Sequence, residues 1–267
     1  MRYFLPFFLL FCLAIGRLDR IFFKANDSFC TAFITPIWNR CPAFFTEIPD
    51  EVYPLLSQSF TYLTKGKQSF VFLSEDREWV LKFFRLPRYV RRGTHKGSAK
   101  SLPFLTQTME GFKWSQDKLS EETGILYAHL QRTKGLPHTT QLIDRFGRSY
   151  LLDLNDLPFA IQRKGSLFLP SLSEMEEEEA KRMIEEAVLL YANLHQKGFT
   201  DNDAIFEKNI GIACGLPFIM DVGQLVPSSS LSPLQDYLLK MTVSLADYLA
   251  QDNSTLYSHY LETVKSL

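Results

Sequence analysis

The stretch GFTDNDAIFEKNIGI, from Gly198 to Ile212, places Asp201 and Asp203 two residues apart and Asn209 six beyond the second. Carboxylate and amide oxygens are hard donors that suit a divalent cation, and a loop carboxylate can take a proton from a hydroxyl. Asp and Asn also shape turns after a helix, so the local pattern alone leaves both readings open. Two distant residues bear on the choice. Lys82 closes Trp79-Val80-Leu81-Lys82, an apolar strand-like run in which an ammonium is costly without a partner. Asp221 follows Pro217-Phe218-Ile219-Met220 and precedes Val222-Gly223, so it sits at the exit of a second apolar strand. Phosphoryl transfer from a nucleoside triphosphate needs this set: donors and a cation for the phosphates, oxygen ligands for Mg²⁺, and a carboxylate for the acceptor hydroxyl.

These residues need elements to hold them. Phe60–Leu63, Phe70–Leu73 and Trp79–Phe84 read as three strands of an antiparallel meander, with Gly66 in the first turn. Arg85, Arg88, Arg91, Arg92, Lys96 and Lys100 then read as a solvated basic loop. The spacing of Leu119, Ile125, Leu126 and Leu130 predicts a helix over 115–131. Gln141–Asp144, Ser149–Leu154 and Phe159–Gln162 read as strands. Ser173 and Glu176 form a capping box for a helix that carries Met183, Ala187, Leu190 and Leu194 on one stripe and ends at Gly198. A hairpin at 209–220 and helices over 234–249 and 254–264 complete an α+β order.

At 267 residues, 46% apolar and 22% charged, the chain can build a substantial core, and its net charge of −1 gives no argument for a nucleic-acid partner. The first residues are different. From Tyr3 to Gly16 there is no charge, and Arg17, Arg20 and Lys24 follow. This run is shorter than the ~20 residues of a full span and matches a signal peptide or a membrane anchor. The charge that follows favours a cytoplasmic domain tethered to a membrane; export after cleavage is the alternative. Of four cysteines only Cys30 and Cys41 are placed to pair, and only in an exported protein. Residues 24–54 read as a loop-rich linker.

Taken in order, Gly66, Lys82, Asp203, Asn209 and the Asp221-Val222-Gly223 triplet resemble the protein kinase-like fold, including the short bacterial lipopolysaccharide-kinase and aminoglycoside-phosphotransferase relatives. The resemblance covers Ser59 to the C-terminus. It implies a bilobal molecule, with a small antiparallel-sheet N-lobe at 55–163 and a reduced, mainly helical C-lobe at 164–267. It implies ATP and Mg²⁺ as cofactors. Gly66 would stand in the phosphate-covering loop and Lys82 on the phosphates, with Glu121 or Glu122 as its ion-pair partner. Phe159–Gly165, Gln162 included, would border adenine. Asp203 would be the catalytic aspartate, and Asn209 and Asp221 the metal ligands.

The pattern departs from the family in two places. One glycine stands where the phosphate loop usually has three, and Asp203 and Asn209 are one residue further apart than usual. The short stretch after Gly223 lacks a platform for peptide substrates. The resemblance therefore implies an ATP-dependent phosphotransferase for a small molecule or lipid, or else a membrane-tethered pseudokinase that binds a protein.

Overall fold

Large β-branched and aromatic side chains dominate the first three strands; the second and third bury most of their residues, while the first buries Phe60 and leaves much of its length exposed. In the computed structural model, which describes residues 16–36, 41–86, 98–137, 139–228 and 232–267, they are β1 (Ser59–Lys65), β2 (Ser69–Ser74) and β3 (Trp79–Phe84). Both pairings are antiparallel, with Phe72 opposite Tyr62 on one side and Leu81 on the other. The β2–β3 turn is held by Asp76, whose Oδ1 accepts from Ser74 Oγ (2.6 Å) and Glu78 N (2.9 Å).

Four more strands extend this meander into a seven-stranded sheet of order β4-β7-β3-β2-β1-β5-β6. They are β4 (Ile125–His129), β5 (Thr140–Ile143), β6 (Ser149–Leu152) and β7 (Phe159–Arg163). The sheet is mixed rather than purely antiparallel, because β5 runs parallel to β1. The phenylalanines fill one side of it. Phe29 meets the rings of Phe70, Phe72 and Tyr150 edge-on at 5.2, 5.1 and 5.8 Å. Phe29 and Ile34 come from the irregular segment before β1, and both are buried in the N-lobe core with Phe60, Phe83, Tyr127 and Phe159.

The helix expected over 115–131 is elsewhere. A helix over residues 16–25 and the short α1 (Val52–Leu56) precede the sheet, and the helix between β3 and β4 is α2 (Ser98–Lys118). A single turn, α3 (Ser120–Thr123), follows, and Gly124 ends it at φ +60. Ile125, Leu126 and Tyr127 then lie in β4, where pairing with β7 outweighs the helical spacing of the leucines. Of the basic cluster, residues 87–97 lie outside the described residues. Arg85 donates from Nη1 to the Gly66 carbonyl at 2.9 Å.

The C-lobe is built on α5 (Glu177–Gln196), preceded by β8 (Ser166–Leu167) and α4 (Phe168–Ser173). The capping box does not form. Ser173 Oγ donates to the Pro170 carbonyl inside α4, and Glu176 occupies the α5 cap position without a side-chain cap bond. The stripe of Met183, Ala187, Leu190 and Leu194 is buried, and Gly198 leaves the helix at φ +78. Four short strands follow: β9 (Phe199–Asp201), β10 (Ile210–Ala213), β11 (Leu216–Ile219) and β12 (Leu225–Pro227). Strand β9 pairs with β12, and β10 pairs with β11. The stretch expected as one helix over 234–249 is two, α6 (Leu234–Met241) and α7 (Val243–Asp252), before α8 (Ser254–Ser266). They break at Thr242, whose Oγ1 bonds back to the Leu238 carbonyl at 2.7 Å and meets the Tyr260 hydroxyl.

Two cores result, one under the N-lobe sheet and a larger one around α5 that also takes in Leu105, Met109 and Phe112 of α2. Helix α2 thus joins the lobes. Its tightest contact is at Gly111, where an added Cβ would lie 2.3 Å from the Val222 carbonyl oxygen. Gly111→Ala should therefore destabilise the chain by about 1–3 kcal/mol, although alanine is the better helix former by about 1 kcal/mol. Urea unfolding measures this, and an unchanged or raised midpoint would show that α2 does not press on residue 222.

Candidate functional site

The second lobe meets the sheet along residues 219–224, and the main chain there carries the contacts. Lys82, on β3, donates from Nζ to the Met220 carbonyl oxygen at 2.7 Å, beside Asp221. Burial pulls the ammonium down to about 8 from its ordinary value, and the Asp221 carboxylate opposes that. The two residues that the sequence placed 139 positions apart thus share one site. Asp221 leaves β11 and accepts from Gly223 N through Oδ1 at 3.3 Å.

The acidic loop is held from both ends. Asp201 ends β9, is 2% exposed, and accepts the Asp203 N–H at 2.9 Å through Oδ1. Asn209 is buried as well. Its Nδ2 donates to the Asp203 carbonyl oxygen at 2.6 Å, and its own carbonyl oxygen accepts from Met220 N at 2.7 Å. Between Asp203 and Asn209 the chain turns around Phe206, whose ring is buried against Phe168 and Tyr191. Its N–H is held by Ser244 Oγ at 2.9 Å. Lys82, Asp203, Asn209 and Asp221 are therefore linked through Met220 by consecutive hydrogen bonds or sequence adjacency. The α+β order expected from the sequence is what the chain adopts, a seven-stranded sheet followed by a mainly helical half.

The other expected positions behave differently. Neither glutamate pairs with Lys82: Glu121 is exposed, and the buried Glu122 carboxylate lies 2.6 Å from Lys197 Nζ at the end of α5. Both sit on α3, after the helix that packs on the site, which is why their sequence position misleads. Gln162 is buried and ties the lobes, donating from Nε2 to the Thr123 (2.6 Å) and Ile219 (3.0 Å) carbonyl oxygens. Gly66 forms the β1–β2 turn through its N–H to Ser69 O at 2.8 Å. A Cβ there would meet nothing closer than 3.9 Å, so the ligand-free turn does not itself require glycine.

Residues not foreseen also line the site. Thr108 and Gly111 of α2 face residues 222–223, and Gln107 Nε2 reaches Gln224 Oε1 at 3.3 Å. Small side chains at 108, 111 and 115, at helical spacing, are the signal that would mark this closely packed face. Gln68, from the β1–β2 turn, lays its Oε1 where a Gly223 Cβ would be, 2.2 Å from it, and that oxygen is buried without a hydrogen-bond partner. Among the described residues no group of three His, Cys, Asp or Glu is set to hold a metal ion. Asn209 and Asp221 offer an amide and a carboxylate oxygen, a donor set that fits Mg²⁺ when phosphate and water complete the shell.

No family model matches the chain, and no curated protein does. Among solved structures it is similar to WbdD. The crystal structure of WbdD at 2.2 Å has TM-score 0.43 at 13% identity, over 76% of this chain and 45% of that one. Monomeric WbdD has TM-score 0.43 at 16%, over 75% and 42%. A structure described as the bifunctional kinase-methyltransferase WbdD has TM-score 0.38 at 15%, over 74% and 43%. The chain spans less than half the length of these proteins.

Asp201 gives a direct test of the site's electrostatics. Burial raises its carboxyl to about 7; the Asp203 N–H opposes this, and the Asp221 and Asp203 carboxylates add to it. Between about pH 4 and 7 the folded chain holds a proton that the unfolded chain has lost, so stability falls as pH rises through that window. Asp201→Asn keeps the acceptor for Asp203 N–H and removes the titration. It should gain about 1–3 kcal/mol over the parent at pH 8 and little at pH 4. Equal differences at both pH values in chemical denaturation would contradict the raised carboxyl.

Proposed function

We propose that the chain is an ATP- and Mg²⁺-dependent phosphotransferase that acts on a small molecule or a lipid. The observation that carries this is the desolvated Lys82 ammonium on the Met220 carbonyl, next to Asp221 and joined through Asn209 to the Asp203 loop. A lysine kept there costs stability by desolvation, which a purely structural strand position would avoid. An anionic phosphate would supply the missing counter-charge.

In this reading Lys82 binds the phosphates, and the Gly66 turn lies over them. Asn209 and Asp221 would hold Mg²⁺, which when bound would supply neutralisation of the phosphoryl charge. Asp203 accepts the acceptor's hydroxyl proton as its oxygen attacks the terminal phosphorus and the bond to the ADP leaving group breaks. The segment of Gln162 borders adenine, and its side chain ties that border to the Thr123 and Ile219 carbonyls. The N-terminal residues 1–23 tether the domain to a membrane, with the kinase-like part on the cytoplasmic side. A lipid or lipid-linked acceptor suits that placement.

A second reading, a pseudokinase that binds a protein, is favoured by two observations. Gln68 fills space against Gly223, and Glu122 is committed to Lys197 instead of Lys82. Thermal shift and turnover separate the two. With millimolar Mg²⁺ and ATP the parent should gain several degrees, since saturation at about 100 times Kd is worth about 2.7 kcal/mol. Lys82→Met and Asp221→Ala should lose most of that gain, and phosphoryl transfer should fall at least ~100-fold. A nucleotide shift without turnover selects the pseudokinase, and no shift at all removes the phosphotransferase. Gly66→Ala should leave the unfolding midpoint unchanged while weakening the nucleotide shift, because only a bound phosphate would contest the space. If the shift is unaffected, the turn does not approach the nucleotide.

A further inference from the structure

The segment before the kinase-like domain enters the structure as a helix over residues 16–25, and every residue of it is exposed. Leu18, Ile21 and Phe22 recur at spacings of three and one, which puts them on one face, with exposures of 52%, 60% and 59%. Arg17, Arg20 and Lys24 share a neighbouring face, with Asp19 as the acid of the helix. An apolar stripe flanked by cations is the pattern of a helix lying in a membrane interface. Among the described residues no helix is long and apolar enough to cross a membrane. The uncharged run that leads into this helix lies at 3–15, outside the described residues.

The helix is not alone. Phe22 meets Phe146 with ring centroids 6.2 Å apart, and Phe146 is itself 47% exposed at the tip of the β5–β6 hairpin. That tip is built to be rigid. The Asp144 carboxylate accepts from Asn26, Phe146 N, Arg148 and the Tyr150 hydroxyl, which fixes the turn to the segment that follows the helix. Arg145 and Arg148 stand beside the tip with more than half of each side chain exposed, although they also pair with Asp27 and Asp144. The helix and the hairpin thus present one apolar surface, Leu18, Ile21, Phe22 and Phe146, with cations around it.

We propose that this joint surface of the 16–25 helix and the β5–β6 tip lies on an anionic lipid bilayer. The domain is then seated against the membrane at a fixed angle rather than swinging on a tether. The inference rests on the reading of residues 1–23 as membrane-directed and adds a second point of contact, more than 100 residues further along the chain. The charge argues for anionic lipid, because interfacial lysines and arginines gain from a negative leaflet. The exposed Phe146 is explained by this surface and by nothing in the nucleotide site.

The test uses the full chain with a photoreactive benzoylphenylalanine in place of Phe22, Phe146 or, on the C-lobe hairpin, Leu216. Each is mixed with phosphatidylcholine vesicles with or without 30% phosphatidylserine, floated, illuminated and analysed for lipid adducts. The expected result is flotation of all three, lipid adducts at positions 22 and 146, and at least fivefold less at 216. Adducts at 146 should also be severalfold greater with phosphatidylserine. Flotation with no lipid adduct at 146 overturns the seated surface while leaving the tether in place. Failure to float removes both. A chain-to-chain adduct at 146 shows that a second copy covers the surface and overturns the proposal, and equal labelling in the two vesicle types overturns the preference for anionic lipid.

Discussion

The main chain of residues 219–224 is the constraint on which the rest depends. Successive peptide groups there are each claimed by a different part of the molecule. The Ile219 carbonyl takes Gln162 from the sheet, the Met220 carbonyl takes Lys82, and the Met220 N–H goes to Asn209. Val222 lies under Gly111, Gly223 under Gln68, and the Gln224 carbonyl accepts from Asn202. Buried peptide groups must find partners, so a segment whose partners come from both lobes fixes the lobes against each other. Asp221 is held in the middle of this segment, and its position is set by the neighbouring backbone more than by its own side chain.

That arrangement explains where charge is tolerated. Lys82 and Asp201 are both pushed toward their neutral forms by burial, and both interact with the Asp221 carboxylate. A stability-optimised fold would avoid both. Lys82 has the Asp221 carboxylate as its opposing charge, while the Asp201 carboxyl is crowded by Asp221 and Asp203. The Glu122–Lys197 pair is a different case. It joins α3 to the end of α5 on the far side of Gly124 and serves the packing of the lobes.

Much of the frame could be read from residue types. The meander of β1–β3, the hairpin of β10 and β11, and the buried stripe of α5 follow from alternation, turn residues and helical spacing, because those signals act over a few residues. The order of Lys82, Asp203, Asn209 and Asp221 was legible for the same reason: Lys82 lies within a locally defined strand, and the other three lie within two residues of the end of one. Helix α2 was not. Its evidence is a row of small residues whose purpose appears only opposite Val222, and the leucines after it imitate a helix that β7 converts to strand β4.

By itself, then, the sequence determined which chemistry-bearing residues lie in or beside which elements, and that a carboxylate, an amide and a lysine of the right types were available. Only the tertiary structure decided who meets whom. It joined Lys82 to Met220, sent Glu122 to Lys197, set the Gln162 amide on the Thr123 and Ile219 carbonyls, and buried Phe206 between Asp203 and Asn209. The physical reason is range. Propensity and periodicity are set by neighbours in the chain, whereas the partner of a buried charge or peptide group is set by whichever distant segment reaches it first with the right geometry.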